Sequence, residues 1–144
     1  MAGAGSTKIV YRAVTISDHP AMIGLLKDEG TVLSKQDSAS AVESFLKRNS
    51  RFCFAAEVMG TVVGFILVGF DGRSARVYHL VVESSWRRRG IAHELTTRAM
   101  AALREEDASG VDVIVFREDP ASEFWESEGF RDRDDLAYLP LDDF

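Results

Sequence analysis

The sequence predicts a mixed α/β fold, with a central, mostly antiparallel sheet of six or seven strands flanked by about four helices. Three observations carry this expectation. Residues 51–82 hold three extended runs joined at Met59-Gly60 and Asp71-Gly72, the composition of two tight hairpins. From Gly90 the apolar spacing becomes helical, with Ile91, Leu95, Ala99 and Leu103 on one stripe. The run 111–116, after Gly110, is apolar almost throughout and reads as a buried strand of the parallel kind, which makes residues 76–116 a βαβ unit.

Each element follows in turn. Residues 1–7 are small, polar and Gly-rich, and are expected to form a flexible leader ahead of one domain spanning 8–144. Residues 8–14 read as a first strand. Thr15 and Asp18 then open a helix that carries Met22, Leu25 and Leu26 on one face, accepts Pro20 in its first turn and ends at Gly30. Ser40-x-x-Glu43 has the form of a capping box, opening a second helix with Phe45 and Leu46 turned inward. The strands 51–58, 61–70 and 76–82 make a meander. Val62, Val63, Phe65, Ile66, Leu67 and Val68 are so continuously apolar that the middle strand is expected to be covered on both faces. Beyond the βαβ unit, Asp119-Pro120 starts a short helix holding Phe124 and Trp125 that stops at Gly129, and 137–141 supplies a last strand.

Composition excludes several classes. A chain of 144 residues with 46% hydrophobic side chains buries roughly 70% of its unfolded surface without needing a disulfide or structural metal. Cys53 has no partner, and His19, His79, His93 and Cys53 lack the paired spacings of a zinc site, so no metal is expected. The net charge of -6 disfavours nucleic acid, which is held by a basic surface. No run is long and apolar enough to span a bilayer and no signal-peptide pattern opens the chain, so a cytoplasmic protein is expected.

The charge is unevenly placed. Arg87, Arg88 and Arg89 stand together, whereas residues 132–135 and then Asp142 and Asp143 are acidic. Three arginines followed by Gly90, at the point where a helix begins, bring positive charge and unpaired backbone N–H groups to one place. Gly90 and Ala92 leave room for a phosphate against those amides. The Gly-Lys-Ser/Thr ending of a P-loop and the earlier glycines of a dinucleotide fingerprint are both absent, so a different phosphate-bearing ligand is called for. From these residues alone, a solvated arginine run ahead of an ordinary helix remains the plain alternative.

Arg87-x-x-Gly90-x-Ala92, following Leu80-Val81-Val82, resembles the acetyl-CoA-binding motif of the GNAT superfamily of N-acetyltransferases. A second segment, Ala121-Ser122-Glu123-Phe124-Trp125-Glu126-Ser127-Glu128-Gly129-Phe130, resembles the closing motif of the same family, and the order of elements matches over nearly the whole chain. The resemblance implies acetyl-CoA as cosubstrate and direct attack on it by a primary amine, either of a small molecule or of a protein N-terminus or lysine. It implies a pantetheine arm lying along Leu80, Val81 and Val82, in an opening where the strands on either side of the long helix splay apart. The pyrophosphate would rest on the amides of Arg88, Arg89, Gly90, Ile91 and Ala92, with Arg87 and Arg88 as its side-chain contacts. Strand N–H groups near Val82 would polarise the thioester carbonyl.

Three candidate bases, His79, Glu83 and Glu118, lie on or beside the strands bordering that opening. Strict alternation puts His79, Val81 and Glu83 on one sheet face and Tyr78, Leu80 and Val82 on the other. Two residues depart from the family pattern. Trp125 stands where most members carry the tyrosine assigned as general acid, and an indole N–H donates a hydrogen bond without delivering a proton. It suits an aromatic wall on the pantetheine arm, and it keeps open the alternative of a non-catalytic acyl-CoA-binding module. Glu118 falls where the family often has an asparagine. The acceptor is not specified: Asp28, Glu29, Asp37 and Glu43 serve equally to draw a cationic amine or to solubilise the helices. A homodimer is compatible with the family, and no residue here specifies one.

Overall fold

The hairpins expected at Met59-Gly60 and Asp71-Gly72 are present in the computed structural model, which describes residues 8–142; the leader expected over 1–7 lies outside them. The chain divides into two compact units, Met1–Ile114 and Val115–Phe144. In the first, strands β1 (Val10–Ala13), β2 (Phe54–Val58), β3 (Thr61–Phe70), β4 (Ala75–Val82) and β5 (Val111–Val113) form one sheet in the order β1-β2-β3-β4-β5. The first three pairings are antiparallel and β4 with β5 is parallel, as the helix between them requires. Met59 and Gly60 both take positive φ, 51° and 82°, which gives the β2-β3 turn the hand that fits twisted strands.

Helices α1 (His19–Asp28) and α2 (Ala39–Asn49) cover one face. Met22, Leu25, Leu26, Val42 and Leu46 pack there with Cys53, Ala55, Phe65, Leu67 and Val81, and Phe45 borders them. Helix α3 (Ile91–Glu105) covers the other face against β2, β3 and β4, burying Ile91, Leu95, Thr96, Ala99 and Leu103. Residues Val63 to Val68 are consequently buried on both sides, as their unbroken apolar run predicts. The cap of α2 is Ser38, whose hydroxyl accepts from Ala41 N–H at 3.2 Å, and not Ser40. The 3-10 turn Lys35–Asp37 precedes it and brings the chain into the helix two residues earlier than the Ser40-x-x-Glu43 pattern suggests.

Two polar features tie the periphery to this core. Asn49 Oδ1, at the end of α2, accepts from Phe70 N–H at 2.9 Å. Arg12 on β1 donates to both carboxylate oxygens of Asp18 at 2.8 Å and to Glu57 on β2. Asp18 is only 8% exposed, and hydrogen bonding from Arg12, more than any other influence, holds its carboxyl below the usual range.

Cys53 is fully buried and its thiol faces the carbonyls of Asn49 and Val68. Burial pushes the thiol up to about 12, against about 8.5 for a free one. A raised folded value means that the native state holds this proton more tightly. Its contribution is therefore complete below pH ~8.5 and lost as pH rises through ~12. At pH 8 a chromogenic disulfide reagent is expected to label Cys53 only as fast as the chain opens; labelling of the native protein at the rate of a free thiol would contradict its burial.

The sheet differs from expectation at its far edge. Among the described residues it has five strands, and β5 stops at Val113 as a half-buried edge strand where a buried one over 111–116 was expected. Ile114 is 48% and Phe116 85% exposed, and pairing with β4 ends at Val77–Val113. In the second unit, residues 137–141 form no strand. Pro140 removes a ladder donor from the segment, and Tyr138, Leu139 and Leu141 are exposed. The expected short helix is present there as α4 (Ala121–Ser127), closed by Gly129 at φ 99°.

Candidate active site

Pairing between β4 and β5 is confined to three positions, Ala75–Val111, Arg76–Asp112 and Val77–Val113. Beyond Val77, no described strand pairs with β4 on that side. The direction of its free groups follows from the other side. Glu83 N–H donates to Val63 O at 2.7 Å, and Val81 lies opposite Phe65 in the same register, so residues 81 and 83 turn their backbone groups to β3. By the alternation of an antiparallel ladder, Leu80 and Val82 turn theirs away from β3, toward the opening. This is the arrangement an added extended ligand requires.

The chain then passes through a 3-10 turn, Ser84–Trp86, into α3. Arg88 takes φ 63° and Gly90 φ 79°, so two left-handed residues turn the backbone sharply before the helix. Gly90 is the N-cap and offers no side chain to the first amides, and the first helical bond runs from Glu94 N–H to Gly90 O at 2.9 Å. The earlier amides have no intrahelical acceptor. Gly64 on β3 sits tightly against β4, since a Cβ there would lie 3.0 Å from Val81 O, with Ile91 Cγ2 and Val82 Cγ2 at 3.4 Å.

The arginines divide their tasks. Arg87 Nε donates to Val82 O at 3.1 Å, bracing the turn against the strand end. The guanidinium of Arg89 lies 4.5 Å from the centre of the Trp86 ring, a cation–π contact. Arg88 makes no hydrogen bond or ion pair with a described residue and is exposed. Glu83 is the N-cap of the 3-10 turn: its carboxylate accepts from Ser85 N–H at 3.1 Å and from the Ser85 hydroxyl.

His79 lies on the α1–α2 face of the same strand, and a bulge decides its company. Leu67 pairs with His79 but Val68 pairs with Val77, which makes Tyr78 an extra residue on β4. Tyr78 and His79 therefore line one cleft, against the expectation from strict alternation that they take opposite faces. The cleft holds ≈ 480 Å³ and is bordered by Ser34, Asp37, Val42, Phe45 and Leu67 as well. The Phe45 and Tyr78 rings meet edge to face at 5.7 Å. Gly69 leaves space beneath them, as a Cβ there would lie 2.9 Å from Tyr78 Cε2 and 3.1 Å from Phe45 Cε1. His79 Nε2 is 3.0 Å from Asp37 Oδ1.

Asp37 has no spacing relation to His79 that the sequence could reveal, since 42 residues separate them. The nearest signal is Ser34-x-x-Asp37, which does form a capping box. In the second unit, Trp125 is buried in edge-to-face contact with Phe124 at 5.1 Å and Phe130 at 4.9 Å, and Glu118 is exposed.

Pairing between β4 and β5 thus stops short of the end of β4, and α3 begins behind a glycine N-cap a short turn further on. The family model for the acetyltransferase (GNAT) domain matches residues 22–138, and the chain belongs to that family. An acetyltransferase of Yersinia pestis (strain Pestoides F) is 32% identical over 83 residues, 58% of this chain and 58% of that protein. The matched stretch thus spans little more than half the length of such curated relatives. Among solved structures, Ard1 from Thermoplasma volcanium aligns with a TM-score of 0.75 at 20% identity, covering 85% of this chain and 82% of that one. The PaiA N-acetyltransferase from Thermoplasma acidophilum, solved in complex with coenzyme A, aligns with a TM-score of 0.75 at 16% identity, covering 88% and 92%. At these identities the two structures establish the fold.

Proposed function

We propose that the chain is an acetyl-CoA-dependent N-acetyltransferase acting in the cytoplasm on a primary amine. One observation supports this most: β4 leaves its β5 partner after Val77 and leads, through three arginines, into the glycine N-cap of α3, with a histidine on the same strand. The pyrophosphate would lie on the amides of residues 88–92, with Arg88 free to add a charged contact. The pantetheine arm would pair with the backbone of Leu80 and the N–H of Val82, whose carbonyl Arg87 already holds. One of those N–H groups would take the thioester oxygen as it gains charge.

His79 is the proposed base, three residues and about 10 Å along the strand from Val82. Glu83 is already engaged as a cap, which leaves the histidine better suited. An alkylammonium of pKa near 10 gives one proton to the imidazole, and the neutral amine attacks the thioester carbon. The C–N bond forms, the C–S bond breaks, and the coenzyme A thiolate leaves with the electron pair. The second amine proton goes to the thiolate and the imidazolium releases its own to solvent. Phe45, Tyr78, Val42 and Leu67 suit an amine carried on an apolar or aromatic group.

Acetyl-CoA-dependent thiol release with a panel of such amines tests this. Turnover is expected, and inactivity despite tight coenzyme A binding would favour a non-catalytic binding module. Trp125→Tyr sharpens the choice. General acid catalysis contributes about 10²–10⁴-fold, but a thiolate of pKa ~8.5 leaves without it. A tyrosine at this position is therefore expected to raise kcat severalfold over a measurable wild-type rate; no rate in either protein would reject catalysis.

A further inference from the structure

Asp37 is held at three points. Its Oδ2 accepts from Ser34 N–H at 2.9 Å, its Oδ1 faces His79 Nε2 at 3.0 Å, and its main-chain oxygen faces His19 Nε2 at 2.7 Å. The side chains of Asp37 and His79 are 12% and 24% exposed. Both carboxylate oxygens are thus committed to donors within the protein, in the wall of the cleft that also holds Phe45 and Tyr78.

This arrangement determines which imidazole nitrogen carries the proton. An ionised carboxylate only accepts, so in the neutral ring Nε2 must carry the hydrogen and Nδ1 the lone pair. Nδ1 makes no hydrogen bond to a described residue. We infer that Asp37 is a positioning residue for acetyl transfer: through Oδ1 it fixes His79 as the Nε2–H tautomer and so makes Nδ1 the nitrogen that takes the proton of the acceptor ammonium. The catalytic part of this inference rests on the acetyltransferase reading above, whereas the tautomer does not depend on it.

Asparagine at position 37 separates charge and tautomer from shape. Ser34 N–H needs an acceptor, and the amide has one oxygen to give it. Its NH₂ is then turned onto Nε2, which must accept, and the ring hydrogen moves to Nδ1. The base is reversed while the side-chain outline is kept. A carboxylate that merely pinned the turn to β4 would produce no such coupling.

The test is long-range ¹H–¹⁵N NMR of the imidazoles in the full chain without cosubstrates, at a pH where the titration shows His79 neutral. There are three histidines, and His79→Gln assigns the signal. The wild type is expected to show a protonated Nε2 and a bare Nδ1, with the two exchanged in Asp37→Asn. In thiol release, Asp37→Asn is expected to lower kcat about 10²–10⁴-fold, with KM for acetyl-CoA within twofold. In a His79→Gln background the same substitution is expected to have no further effect on kcat.

A wild-type ring protonated on Nδ1 would overturn the inference, even if Asp37→Asn fails to fold. So would an exchanged tautomer with kcat within threefold of wild type. Absence of thiol release from the wild type with every amine would instead overturn the acetyltransferase reading, and the catalytic role of Asp37 with it.

Discussion

Gly90→Glu is expected to reduce affinity for coenzyme A by more than 100-fold while leaving the chain folded. The side chain has space, as nothing lies within 4 Å of a Cβ built at Gly90. Two other effects act. The N-cap φ of 79° is left-handed, which costs an L-residue about 1–2 kcal/mol. The larger effect is electrostatic: two like unit charges 4 Å apart repel by about 4 kcal/mol at an effective dielectric of 20. Each 1.4 kcal/mol is about tenfold in affinity, so charge alone brings the loss to 10² or more. Gly90→Ala isolates the backbone contribution and is expected to lose less than tenfold. Calorimetric titration of the two variants checks this, and equal affinities for Gly90→Glu and the wild type would remove the phosphate from the start of α3.

The largest expected effect on stability comes from Arg12→Ala. Asp18 is nearly buried and receives two hydrogen bonds from that guanidinium at 2.8 Å. Removing Arg12 leaves the carboxylate to Thr15, whose N–H lies at 2.9 Å, and frees Glu57 as well. Breaking a fully buried pair costs about 3–5 kcal/mol. Arg12 is a third exposed, so solvent screening reduces this to about 2 kcal/mol. For a chain of this size that lowers Tm by roughly 4–8 °C. The effect should depend on acid in a definite direction. The folded pKa of Asp18 lies below its unfolded value, so the stabilisation is complete above pH ~4 and is lost as pH falls through the folded value. Thermal melts at pH 7 and pH 3 are expected to show the gap between wild type and variant narrowing at the lower pH. A constant gap would mean that Asp18 is not the group Arg12 serves.

What the sequence made legible depends on how local the determining physics is. Strand β3 declares itself because six apolar residues in seven positions suit only a strand covered on both faces, which α1, α2 and α3 provide. The start of α3 is equally plain, because a glycine after charged residues and before a helical stripe marks a terminus with free amides. The edge of the sheet is less so. Residues 111–116 have the composition of a central strand, yet pairing with β4 ends after three positions, and Ile114 and Phe116 are exposed.

The cleft is the least legible part. Tyr78 and His79 share it only because one extra residue on β4 breaks the alternation, and a bulge has no signature beyond the small Gly69 on the neighbouring strand. The bond from His79 to Asp37 depends on how the 35–37 turn packs onto β4, a tertiary relation that no spacing encodes. Ser38 displaced Ser40 as a cap for a related reason, since the 3-10 turn before it set where α2 could begin.

A crystal structure of the chain grown with acetyl-CoA tests the central claim most directly. The pyrophosphate is expected on the amides of residues 88–92, the pantetheine arm along Leu80 and Val82 beyond the last β4–β5 pair, and the thioester carbonyl oxygen on a free N–H of that strand. Acetyl-CoA bound elsewhere, with the start of α3 empty, would contradict it.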